Sequence, residues 1–398
     1  MPLALYLLAL AVFAMGTSEF MLAGLLPDIA SDLDVPVGTA GLLTSAFAVG
    51  MIVGAPLVAA SARNWPVRTS LLGFILVFVA AHAVGAATSS FPVLVVTRVI
   101  AALANAGFLA VALTTAGTLV APDRKGRALA VLLSGMTVAT IAGVPGGSVL
   151  GTFLGWRATF WAVAALCVPA AVGILKGIPA RPVREDEPDR PALRAELARL
   201  GSPRLMLVML LGALVNAATF AGFTFLAPLV TDTAGLAEQW IPLVLVLFGV
   251  GSFVGVTLAG RFSDRRPGLV VTVGGPLLLF GWFAMAVLAE KPVALLLLVF
   301  AQGALSFALG STLITRILYE AAGAPTMAGA YATAALNIGA AVGPLLAAAT
   351  LGTAVGNHGP LWTSGLLVAV ALLVALPLRG VIADEPERRD GAALTGIR

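Results

Sequence analysis

Charge is what this sequence has least of: 11% of its 398 residues are Asp, Glu, Lys or Arg, against roughly a quarter in an ordinary soluble domain. With 60% of residues hydrophobic, a soluble fold has nowhere to bury so much apolar surface. Cysteine occurs once, at Cys167 in an Ala- and Val-rich run, which excludes a disulfide framework and a cysteine-based metal site. Lysine occurs three times against 20 arginines, a skew that fits a high-GC bacterial genome. There is no nucleotide-binding P-loop, and no serine, cysteine or metal constellation has its partners, so an enzyme, a metal site and self-driven ATPase transport are not expected. The net charge of +4 sits in short loops between apolar segments, a topology signal rather than a nucleic-acid face. No Lys or Arg precedes the first apolar run and no cleavage-type ending follows it, so residues 1–26 do not read as a signal peptide.

What the chain does have is apolar runs of about 20 residues or more, the length of helix that crosses a bilayer, and 44 glycines suited to close helix packing in lipid. Twelve spans are predicted: 3–26, 37–60, 69–88, 92–118, 128–153, 158–177, 205–230, 240–260, 268–289, 292–316, 328–352 and 360–378. A polar stretch divides them, giving an N-terminal bundle 1–177, a linker 178–203, a C-terminal bundle 204–379 and a tail 380–398. Within the linker, Ala192 to Leu200 is expected to form a short amphipathic helix on the membrane surface. Of the 23 basic residues, 20 fall on one side of this arrangement. Only Arg157 and Lys291 lie in the opposite loops, and Arg98 lies inside a span, so both termini are predicted to be cytoplasmic.

The halves also repeat. Shifted by 201 positions, FAVGMIVGA at 47–55 lies over FGVGSFVGV at 248–256, and Pro27 lies over Pro228. The expected architecture is all-α, with twelve transmembrane helices as two six-helix pseudo-repeats facing a central cavity and a site near the midplane.

Gly260-Arg-Phe-Ser-Asp264-Arg265-Arg266 matches the loop motif between helices 8 and 9 of the major facilitator superfamily, while the first-half copy is degraded, with Ala59 opposite Gly260 and Arg63 opposite Asp264. Gly143-Val-Pro145-Gly146-Gly147, with Gly151 a turn on, resembles the helix-5 motif of that family's drug:proton antiporters; Gly339 to Pro344 is its relic in helix 11. GTSEFMLAGLLPDIASDL at 16–33, TRVIAALANAGFLAVA at 97–112 and GWRATFW at 155–161 are similar to the twelve-helix branch, and within it to chloramphenicol-resistance exporters of actinobacteria. The resemblance implies proton-coupled efflux of a small amphiphilic antibiotic, most of all chloramphenicol, across the bacterial cell membrane by alternating access. It implies a monomer in the lipid bilayer, with protons as the coupling ion and no other cofactor. Export of a sugar or native metabolite, or a non-transporting sensor on the same scaffold, are the alternative readings.

Ionisable groups inside a membrane are costly and default to function. Glu19 is the only acid well inside a predicted span, about 12 Å from the end marked by Pro27 at 1.5 Å per residue. Arg98 lies at nearly the same depth in helix 4 and matches the family's helix-4 arginine, so the two are expected to meet or share a water. Burial and a neighbouring cation act oppositely on a carboxylate, which suits Glu19 to carrying the coupled proton; substrate anchoring and a structural Glu–Arg pair are the other roles open to it. Asn105, Asn216, Gln302, Tyr331 and Asn337 are candidates to hydrogen-bond substrate, with interhelical clamping as the alternative. Met15, Phe20, Met21 and Phe220 are candidate apolar lining. His82 is expected to be peripheral.

Overall fold

The computed structural model describes residues 2–61, 65–121, 125–178, 193–263, 267–324 and 327–375, all of whose long elements are helices. They run α1 Leu3–Phe20, α2 Leu42–Ser61, α3 Val67–Ala87, α4 Phe91–Thr118, α5 Lys125–Val138 resuming at Val144–Leu154, α6 Trp156–Gly177, α7 Pro203–Thr224, α8 Ile241–Ser263, α9 Pro267–Leu288, α10 Pro292–Glu320, α11 Ala328–Leu351 and α12 Gly359–Ala375. Among the described residues, eleven segments are long and apolar enough to span a membrane. The twelfth, α9, is a 22-residue helix whose described apolar stretch is Thr272–Leu288. The motif residues Asp264 and Arg265, with Arg63 opposite them in the first half, lie outside the described residues; Gly260 falls in α8.

Proline and glycine punctuate these helices. Pro92, Pro203 and Pro292 stand in the first turns of α4, α7 and α10, where a missing N–H has no intrahelical partner to lose. Inside α5, Pro145 cannot bond the carbonyl of Ile141, and the turn just before it, Ala139–Gly143, widens into a π-turn. Gly155, at φ 80°, reverses the chain between α5 and α6.

The sequence repeat has a direct packing meaning. Gly50 and Gly54 of α2 seat against Val99, Ala102, Leu103 and Ala106 of α4. Their counterparts 201 positions on, Gly251 and Gly255 of α8, seat against the carbonyls of Phe300 and Ala304 of α10. Gly339 and Gly343 of α11 do the same on Ala213 and Ala217 of α7. Without a hydrophobic force between helices in lipid, such close backbone approach is what makes a pair cohere.

The halves join through α2 with α11 and α5 with α8. Most of this junction lies toward the end where α1 finishes. There Phe225 covers Gly41, Ala348 and Leu351 cover Gly38, and Leu245 approaches Gly24. Gly249 of α8 abuts the carbonyl of Thr140 in the π-turn, so α5 meets α8 through residues 139–154 rather than through its first half.

A methyl group at Gly255 collides with the α10 backbone, whereas at Gly310 nothing lies within 4 Å. Gly255→Ala is expected to lower the thermal midpoint of the detergent-solubilised protein, at an overpacking cost of about 1–3 kcal/mol. Gly310→Ala is expected to leave it unchanged or slightly raised; equal behaviour of the two variants contradicts the packing assigned to Gly255.

Candidate functional site

Three consecutive residues at the end of α1 face three environments. The helix stops at Phe20 and tightens into the 3₁₀ turn Met21–Gly24 before Pro27 opens the next short helix, Leu26–Asp32. The last carbonyls of an α-helix lack intrahelical partners, and a cation takes up one of them here. Arg98 Nη2 donates to the carbonyl oxygen of Ser18 at 2.7 Å, and Nη1 donates to Ser18 Oγ at 2.7 Å. Its guanidinium also lies 4.4 Å from the centroid of the Phe47 ring. The cation sits at the negative end of the α1 dipole, where it is favoured.

Ser18 continues the network to α3. Its Oγ is 2.7 Å from His82 Nε2, and His82 Nδ1 is 2.9 Å from the carbonyl of Phe78. A carbonyl can only accept, so Nδ1 carries the hydrogen, Nε2 accepts, and the Ser18 hydroxyl donates to it. Ser18, His82 and Arg98 are all buried.

Glu19 points elsewhere. It is mostly buried, retaining only limited surface at the end of α1. It feels the charge of Arg98, yet no ion pair joins them among the described residues. Of the two arrangements expected, a direct meeting or a shared water, the first gives way to Arg98 on Ser18, because the α1 terminus offers a hydroxyl and a carbonyl in the same reach. Beside Glu19, Phe20 stacks on Phe220 of α7 at 5.7 Å and meets Phe223 at 6.2 Å; Phe223 lies 4.6 Å from Phe248, which lies 6.1 Å from Phe307. These rings bridge the two halves just beyond the carboxylate.

The remaining candidates divide. Asn216 keeps some exposure while donating to the carbonyl of Leu336 at 2.7 Å, a clamp between α7 and α11. Asn105 approaches Met51 Sδ of α2 at 3.6 Å, and Asn337 donates to Thr333 of its own helix at 2.9 Å. Met15 and Met21 are fully buried in the packing of the first half rather than lining open space. Gln302 is fully buried too, its Nε2 on the carbonyl of Leu278 between α10 and α9, away from the interface of the halves. Tyr331 donates its hydroxyl to the carbonyl of Glu196 at 2.9 Å. The short helix expected near Ala192–Leu200 forms at Leu193–Leu197, and it docks on the second half with Glu196 Oε2 accepting from the Met327 N–H at 2.9 Å. Of the helix-5 motif, Gly143 packs on Thr17 and Phe13 of α1, Gly151 on Leu25, Gly147 on Thr159, and Pro145 is buried, while Gly146 has open space.

At the closed end, Asp32 pairs with Arg157 and accepts from Trp156 Nε1 at 3.3 Å, tying the first loop to α6. Asp28, beyond the end of α1, has its pKa raised by burial and by the charge of Glu238 in the second half. His82 is what sequence reasoning placed at the periphery. The available signal was the cost of any polar ionisable ring inside an apolar span.

The family description "Major Facilitator Superfamily" matches residues 8–335. The chain is 76% identical to a chloramphenicol resistance protein of Streptomyces lividans over 382 residues, covering 96% of this chain and 97% of that one. It is 30% identical over 369 residues to the inner membrane transport protein YdhP of Escherichia coli (strain K12), covering 92% of this chain and 93% of that one. Among solved structures, a bacterial homolog of the human lysosomal transporter Spinster, in an inward-facing and unoccupied conformation, superposes with a TM-score of 0.74 at 17% identity. It covers 96% of this chain and 98% of its own, which shows the fold.

The Tyr331 hydroxyl holds the linker rather than the space between the halves. Tyr331→Phe is expected to speed amide exchange over residues 193–201 about 2- to 10-fold, the loss of one hydrogen bond of about 0.5–1.5 kcal/mol. Substrate affinity is expected to stay unchanged, and a large loss of affinity overturns this placement.

Proposed function

The chain belongs to the major facilitator superfamily, and from that premise we propose that it exports chloramphenicol from a bacterial cell in exchange for protons, by alternating access. The observation that carries the substrate is the 76% identity to a chloramphenicol resistance protein along nearly the whole chain. The observation that supports the coupling is the placement of Glu19, mostly buried beside the ring contact of Phe20 with Phe220 and electrostatically linked to a buried arginine.

The charge asymmetry of the loops puts both termini in the cytoplasm. On this reading the end tied by Asp32 and Arg157 faces outward, and Glu19 is reached from the cytoplasm in the inward-open state. Chloramphenicol is neutral: its nitrophenyl ring suits the faces of Phe20 and Phe220, and its hydroxyls and amide suit polar groups such as Asn216. Because the drug brings no charge, it does not need Glu19 as a counter-ion, and the carboxylate is free to carry a proton. Proton and drug each favour a different state of one equilibrium, which is all that exchange requires. The step balances simply: a proton bound from outside leaves inside, and a neutral drug leaves outward, so one positive charge enters for each proton exchanged.

Three outcomes are expected. A cysteine at position 189 in the linker resists impermeant thiol reagents in intact cells, while one replacing Thr233 reacts; labelling at 189 from outside sinks the orientation. Glu19→Gln inserts and still binds drug, but loses gradient-driven efflux in proteoliposomes and the pH dependence of binding; undiminished proton-driven efflux moves the coupling elsewhere. Collapsing the membrane voltage alone, with the pH gradient held, slows drug efflux in the wild type. Indifference to voltage contradicts a net inward charge.

A further inference from the structure

Arg98 is buried and charged, yet it does not take the nearest carboxylate. Two of its nitrogens are committed to Ser18, and its Nε is buried with no partner. What fixes this choice is the Ser18 hydroxyl, since it must donate somewhere while it accepts from the guanidinium. The His82 ring supplies that acceptor, and the ring is itself fixed. Nδ1–H is on the Phe78 carbonyl, and the imidazole lies between Phe78, at 4.1 Å centroid to centroid, and Phe160, at 5.6 Å.

We propose that His82 is a positioning residue for proton coupling: through Ser18 it holds the Arg98 guanidinium on the end of α1 and off the Glu19 carboxylate. This rests on the reading of Glu19 as the proton carrier. Each donor in the chain has one acceptor and each acceptor its donor, from Arg98 Nη1 to Ser18 Oγ, from Ser18 to His82 Nε2, and from His82 Nδ1 to Phe78. Removing the acceptor at Nε2 turns the Ser18 hydroxyl and loosens one arm of the arginine. The guanidinium then has free N–H groups, and its nearest anion is the carboxylate one residue along α1. An arginine paired to Glu19 holds it as the anion and blunts its exchange of protons.

The ionisable groups that converge here are Glu19 on α1, Arg98 on α4 and His82 on α3; α2 presents Phe47 and α6 presents Phe160. On α6, Cys167 has no charge interaction with them, and Arg157 and Lys176 stand at its two ends. The imidazole does not itself take the proton in this arrangement. A second N–H on the ring would face Ser18 and set a second buried cation beside Arg98.

The test is the pH dependence of chloramphenicol binding to purified, detergent-solubilised full-length protein. His82→Leu keeps bulk without an acceptor, and Ser18→Ala removes the hydroxyl while leaving the ring. Both are expected to move the binding midpoint toward acid by about 1 pH unit or more, the effect of a cation brought onto a carboxylate and a tenfold change in protonated fraction. His82→Gln, which returns an acceptor, is expected to restore the midpoint. If His82→Leu does not fold, Ser18→Ala carries the same expectation alone. An unmoved midpoint in the folded variants overturns the proposal, as does a His82→Gln midpoint displaced as far as that of His82→Leu, which would mean the ring acts by titrating. If Glu19→Gln retains the wild-type pH dependence, the carrier reading itself fails, a separate result from either of these.

Discussion

The N-terminal bundle of this protein is organised around one constraint: a guanidinium taken out of water must be met by oxygen atoms that a membrane interior rarely offers. Helix ends are where such atoms exist, because their last carbonyls have no partner within the helix. The turn from α-helix to 3₁₀ at Phe20 thus serves two purposes. It leaves the Ser18 carbonyl available to Arg98, and it brings Glu19 and Phe20 to the junction of the halves. Cation, hydroxyl, imidazole and carboxylate occupy one short stretch because the end of one helix can hold them all. The cation–π contact with Phe47 covers a further face of the guanidinium and ties α2 to the same point.

Around this polar knot the scaffold is assembled from stiff helix pairs. Glycine against carbonyl joins α8 to α10 and α7 to α11, and glycine against backbone and small side chains joins α2 to α4. Contacts this close leave little freedom to slide. Rearrangement between an inward-open and an outward-open state therefore falls to the junctions of α2 with α11 and α5 with α8. The π-turn at Ala139–Gly143 lies in one of these, with Thr140 presenting its carbonyl to Gly249. Backbone already out of the regular i→i−4 ladder is a natural place for such a change, since fewer helical hydrogen bonds must be broken there.

Twelve helices, their order and the pairing of Gly50 with Gly251 were legible in the sequence, because lipid imposes a length and a composition that no soluble context imitates. That Glu19 and Arg98 lie inside helices rather than in loops was legible for the same reason. Their partners were not. Whether Arg98 reaches Glu19 or Ser18 depends on where α1 changes from α to 3₁₀, a matter of one residue that hydropathy does not resolve. Asn105, Gln302 and Tyr331 were identified as polar groups in spans, but the face each presents follows from helix rotation and from neighbours distant in sequence, such as Met51, Leu278 and Glu196. His82 looked peripheral because α3 is peripheral; what gives it a role is a serine 64 positions away.

The aromatic bridge from Phe20 through Phe220 and Phe223 to Phe248 also has an electrical consequence. A membrane potential does not fall evenly through a protein with a wet side and a dry one. In an inward-open state of the proposed cycle, water would conduct as far as these rings and the field there would be weak, so the layer they close would take most of the drop. In the proposed exchange, Glu19 lies beside Phe20 in that layer, so a proton reaching it from outside would already have crossed most of the voltage, about 2.3 kcal/mol per elementary charge for each 100 mV. On that proposal the electrical work of the cycle is done when the proton binds, and little remains for its release on the other side.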